Sequence, residues 1–235
     1  MNASEPLPFA VDYRFSKRRT ISIEVRESAV IVRAPKGVGQ SLLTRFVNSR
    51  RHWVLQKLAA QQQKLAARPC YRFVAGEQLP YLSQQLMLEV VAAPKNTVVL
   101  NGDRLTAGVS GRSQQPVAIQ VAALVSDWYK ARALEVLSAK THALCAQLGL
   151  NCTDIKVRAT RSKWGHCTSE GRIQYNWQIV LAPEQVVDYL VAHEVCHLRH
   201  PHHGPAFWQM VEQVCPDYQH WRQWLREQGF RLVLS

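Results

Sequence analysis

No C-x-x-C pair occurs among the six cysteines (Cys70, Cys145, Cys152, Cys167, Cys196 and Cys215), so the sequence offers neither a zinc ribbon nor a thioredoxin-type redox site. Free, buried thiols are the expectation. No window of eighteen residues is apolar throughout. The first twenty residues hold Pro6, Pro8, Asp12 and the run Lys17-Arg18-Arg19 where a secretory signal would need an unbroken apolar segment. A cytoplasmic protein with no membrane span is therefore expected. Acidic residues are scarce: 17 Asp and Glu against 29 Lys and Arg leave a formal charge of +12. The excess is uneven, because residues 1–70 carry 13 basic and 4 acidic side chains while residues 71–235 carry 16 and 13. A basic N-terminal part of this kind points to nucleic acid or a nucleotide as partner. What the chain does have is 47% hydrophobic residues over 235 positions, enough for a sizeable core. It also has nine histidines, five of them between His193 and His203.

The hydrophobic pattern predicts an α+β fold. Phe9, Val11, Tyr13 and Phe15, then Ile21, Ile23 and Val25, then Val30 and Val32, alternate as strands do. From Ser41, Leu42, Leu43, Phe46, Val47, Val54 and Leu58 follow helical spacing and predict one helix, which the Gln-rich segment to Ala67 finishes. Short strands follow at 71–74, 86–90, 98–100 and 105–109, with a hairpin turn at Asn101-Gly102, whose residues both tolerate positive φ. The small, polar stretch from Gly108 to Pro116 is the expected boundary between a β-rich basic part, 1–115, and a mainly helical part, 116–235. Val121 to Leu148 reads as one long helix capped by Gly149. Two short strands, 155–160 and 172–177, precede a helix opened by Pro183, and helices at 205–214 and 217–228 close the chain.

Residues 193–197 read His-Glu-Val-Cys-His. On a helix the i, i+4 spacing stacks both imidazoles on one face about one turn apart, the geometry that clamps a zinc ion. Glu194 then lies beside the ion, where a carboxylate can take a proton from water and pass it to a leaving group. Nine histidines and eleven glutamates give roughly 0.016 chance occurrences of the pattern. His200, His202 and His203 compete for a third ligand position. His203, separated from His197 by five intervening residues, suits a chain that breaks at Pro201, turns at Gly204 and returns a ring to the same ion. Three protein ligands would leave a fourth position for water, as catalytic rather than structural zinc sites do.

Arg161 to Trp177 (RSKWGHCTSEGRIQYNW), Asp188 to Leu198 around the motif, His202-His203-Gly204 and Phe207-Trp208 together resemble the YgjP-like metal-dependent hydrolases, relatives of the SprT and Spartan-type zinc metallopeptidases. Weaker features, among them Val32-Arg33-Ala34-Pro35 and the helix reaching Trp53, extend the likeness over most of the chain. The chain departs from the family pattern at His166, where a small residue is usual, and at His202-His203-Gly204, where Asn-His-Ser is usual. The resemblance implies a zincin-like catalytic part with one zinc ion per chain, His193, His197 and His203 as ligands, Glu194 as catalytic base, and a peptide or protein substrate. Some members are described as nucleotide (UTP) pyrophosphatases, which makes phosphohydrolysis the first rival reading. A nucleic-acid-binding protein with a purely structural zinc site is the second, and an intact Glu194 argues against it. In zinc peptidases a strand edge beside the metal can take an extended peptide, and Arg172 to Trp177 is the expected edge. Arg161, Lys163, Arg172 and Tyr175 are the candidate substrate-binding residues.

Overall fold

The computed structural model describes residues 7–26, 28–160 and 162–234. Contacts divide the chain into two units, Met1–Arg68 and Pro69–Ser235. The boundary expected at 115/116 falls inside the second unit, on the loop between a strand and the long helix that share one core.

In the first unit β1 (Val11–Ser16), β2 (Ser22–Arg26) and β3 (Ala29–Pro35) form a sheet of order β1-β3-β2. β3 runs parallel to β1 and antiparallel to β2, and buries Val30, Ile31 and Val32 in succession, as a central strand covered on both faces does. The single helix expected from Ser41 is two, α1 (Gln40–Ser49) and α2 (Arg51–Ala66), because Arg50 leaves helical geometry at φ −110° and ψ 7°. Leu43 and Val47 of α1 complete a small core with Val32 and Ala34.

The second unit opens differently from the sequence expectation. Residues 71–74 are not a strand; the Arg72 and Phe73 amides donate to the Glu77 carboxylate (2.9 and 2.6 Å) and close a turn instead. β4 (Gln78–Tyr81), β5 (Gln84–Ala92), β6 (Thr97–Asn101) and β7 (Arg104–Val109) then form a sheet of order β4-β5-β7-β6, with Gly102 at φ 62° in the β6–β7 turn. Its buried side chains, Leu79, Leu86, Leu88 and Leu105, share one core with α3 (Val117–Leu148), and Tyr129 of that helix donates to the Pro80 carbonyl (2.9 Å). Val121, Val125, Tyr129, Ala133, Leu137, Thr141 and Cys145 are buried at strict four-residue intervals. That spacing advances about 40° round the helix at each step, so the buried stripe winds and α3 meets different elements along its length. Gly149 ends it in the left-handed conformation, φ 61°.

Beyond α3 a three-stranded sheet, β8 (Asp154–Arg158), β9 (Gly165–Cys167) and β10 (Arg172–Asn176), has the order β8-β10-β9. β8 and β10 are parallel, and the antiparallel partner of β10 is β9, formed by the stretch read from sequence as a connection. α4 (Glu184–Cys196), α5 (Pro205–Val214) and α6 (Tyr218–Gln228) follow, with Lys140 of α3 between Glu184 and Asp188 of α4 (2.8 and 2.6 Å). Among the described residues no helix is long and apolar enough to cross a membrane.

Candidate active site

α4 is apolar on nearly every side: Val186, Val187, Leu190, Val191 and Val195 are at most 4% exposed, which fixes its rotation and depth in the core. Its last turn therefore presents His193 and His197 side by side at the rim. The helix ends at Cys196, the His200 amide returns to the Cys196 carbonyl (3.0 Å), and Gly204 and Pro205 start α5. This short reversal brings His203 back. His203 Nε2 lies 3.1 Å from His193 Nε2 and 3.1 Å from His197 Nε2, and the three ring nitrogens lie within 4.8 Å of one another.

The cluster fits a zinc ion. Nitrogen ligands at the usual zinc distance, set tetrahedrally, stand about 3.3 Å apart, close to the two shorter separations here. Burial, with the neighbouring His197, His203 and Arg222, pushes His193 down to about 3, and burial also lowers His197, so both rings keep neutral lone pairs. His197 Nδ1 donates to the His200 carbonyl (3.0 Å), a bond that places its proton on Nδ1 and leaves the Nε2 lone pair free for a metal. Of the competitors for the third ligand, His200 thus contributes its backbone, and His202 is exposed outside the cluster.

Aromatic rings hold the imidazoles. Phe207, fully buried, stacks on His197 (centroids 4.4 Å apart, planes at 29°), and Trp208 stacks on His203 (5.6 Å, 25°). Trp208 in turn stacks on Tyr218 (5.3 Å) under the Arg222 guanidinium (4.5 Å). Phe207 and Trp208, in the first turn of α5, thus brace the histidine rings.

Glu194 is 4% exposed, and burial raises its carboxyl to about 8, opposed by the charge of Lys163. It lies against the backbone of β9. A Cβ on Gly165 would stand 2.6 Å from both Cγ and Cδ of Glu194 and nearer still to Oε1, so only glycine admits the carboxylate there. The sequence carried this signal as the glycine of Trp164-Gly165-His166, without its meaning. Asn176 fixes the loop leading into β9: its side chain donates to the Thr160 carbonyl (3.0 Å) and accepts from the Gln178 amide (3.1 Å), and its amide donates to the Trp164 carbonyl (2.7 Å). Thr160, Ser162, Lys163, Trp164, Gly165 and His166 are among the residues round a cavity of about 230 Å³ beside that strand.

The expected substrate residues divide. Lys163 is exposed on this cavity, and Arg161 lies outside the described residues. Arg172 pairs with Glu170 (3.1 Å) at the far end of β10. Tyr175 is fully buried with its hydroxyl on Thr141 (2.9 Å), a core role that corrects the substrate-binding expectation. β10 is the central strand, so the edge expected at 172–177 is instead β9. Burial pushes Cys167 up to about 11 and Cys196 up to about 12, so neither offers a thiolate nucleophile at neutral pH.

No curated protein matches the sequence. Among solved structures, the crystal structure of the metallopeptidase zymogen abylysin of Pyrococcus abyssi aligns with 41% of this chain and 99% of its own, at 18% identity and a TM-score of 0.36. The family model for the YgjP-like metallopeptidase domain matches residues 19–228. That match covers both units and the whole histidine site, and the chain belongs to the YgjP-like metallopeptidase family.

Proposed function

We propose that the chain is a zinc-dependent peptidase in which His193, His197 and His203 hold one ion and Glu194 is the general base. The observation that carries this reading is the convergence of three Nε2 atoms at the end of the helix that also carries the buried Glu194 carboxylate. Zinc, when bound, supplies a Lewis acid that polarises a carbonyl and makes water more acidic. Glu194 accepts the proton of the attacking water at a carboxylate oxygen and delivers it to the leaving amine. Its burial in an apolar surrounding keeps bulk water from competing for that proton. β9, an edge strand, offers backbone groups to an extended peptide, and Gly165 keeps that edge in contact with Glu194. Lys163, at the cavity beside it, supplies positive charge to an anion on the substrate.

The test joins metal analysis to a substrate screen. One zinc per chain, lost in His193→Ala and His197→Ala, and peptide cleavage abolished in Glu194→Gln with its zinc retained, are the expected outcomes. Hydrolysis of UTP with no peptide cleaved would overturn the substrate class and favour the phosphohydrolase reading.

A further inference from the structure

The longest acid-free stretch of the chain lies mostly in the first unit. From Ser28 to Gly76 there is no Asp or Glu, against nine Lys and Arg, and both α1 and α2 fall within it. The described acids of that unit sit on the sheet and are paired, Asp12 with Arg14 (2.8 Å) and Glu24 with Arg26 and Arg33 (3.2 and 3.3 Å). α2 buries only Val54 of its sixteen residues. One side of it, Trp53, Lys57, Ala60, Gln61 and Lys64, lines a groove of about 360 Å³ with Val25 of β2. Trp53 is 38% exposed, with Lys57 Nζ 5.9 Å from its ring centroid. The groove is preformed: the Gln61 side chain donates to the Val25 carbonyl (2.8 Å) and accepts from the Ser28 amide (2.9 Å), pinning α2 to the β2–β3 turn.

We propose that this groove binds single-stranded nucleic acid, an unpaired base stacking on Trp53 while Lys57 holds a neighbouring phosphate. An exposed indole beside a lysine is an arrangement that grips single strands without regard to sequence, since every base has a π-face and every step a phosphate. A duplex keeps its bases stacked on one another and leaves the ring without a partner. A membrane would need an apolar face, and α2 has none: Leu55, 39% exposed, is two residues from Trp53 and points to the other side of the helix. The reading does not rest on the peptidase site, because none of these residues belongs to it.

Fluorescence anisotropy of a labelled oligo-dT and of an RNA of equal length, with the full chain at salt between about 50 and 200 mM, tests the proposal. Affinity falls linearly on logarithmic axes as salt rises, and the Lys57→Gln variant lowers the slope by about 0.7. Trp53→Ala weakens binding about 5- to 150-fold, while Trp53→Phe, which keeps a stacking ring, retains most of it and guards against a folding artefact. Lys130→Gln, on α3, leaves binding unchanged. Salt-independent binding, wild-type affinity in the Trp53→Ala and Lys57→Gln variants, or preference for a duplex of equal length or for phosphatidylserine vesicles would overturn it.

Discussion

Gly165→Ala isolates the contact on which the proposed base depends. Gly165 does not occupy the left-handed region, so alanine meets no backbone penalty and its methyl group is the only new feature. That methyl would stand 2.6 Å from Glu194 Cγ and Cδ, and ordinary contact begins at 3.4 Å, so the carboxyl group or β9 must retreat by about 0.8 Å or more. Glu194 is 4% exposed and has little free space to move into. Overpacking of this size costs about 1–3 kcal/mol, and about 2–4 °C of Tm for each kcal/mol in a chain of this length. A shift of about 1 Å in a group that must meet its proton at hydrogen-bond distance costs about 100-fold in rate. Metal content stays at wild type, because no histidine is touched. The assay is kcat on a cleaved peptide at saturating zinc, beside metal analysis and a thermal melt. Wild-type kcat with an unchanged melt would refute the contact and the role of β9 in placing the base.

Three further substitutions probe the surroundings. Trp208→Leu removes the ring stacked on His203 and lowers zinc affinity about 10- to 100-fold in competition with a chromophoric chelator; unchanged affinity would show that the aromatic bracket does not orient the ligand. Tyr175→Phe leaves the buried Thr141 hydroxyl without its partner and costs about 1–3 kcal/mol in a denaturant melt, with KM unchanged; a raised KM at full stability would return Tyr175 to the substrate. Asn176→Ala frees the Thr160 carbonyl and the Gln178 amide together, so it lowers the melt and raises the susceptibility of residues 162–164 to proteolysis; protection there would contradict its anchoring role.

The site was more legible in the sequence than the sheet that serves it. His193, Glu194 and His197 declare themselves because i, i+4 spacing has one meaning on a helix, and His203 follows once Pro201 and Gly204 end the turn. β9 was hidden because three residues, one of them glycine, are too few to alternate, and its role comes from pairing with β10 and touching Glu194, both long-range facts. The parallel pairing of β8 with β10 is equally non-local. The α1–α2 break escaped because Val47 and Val54 keep helical phase across Arg50. Gly108 to Pro116 resembles a boundary by composition, yet β7 and α3, which it connects, share apolar contacts that only packing reveals.

The most direct measurement is zinc content and peptide turnover of Glu194→Gln beside the wild type. The account predicts one zinc in each and turnover only in the wild type. Turnover retained in the variant, or zinc absent from the wild type after purification and reconstitution, would contradict it.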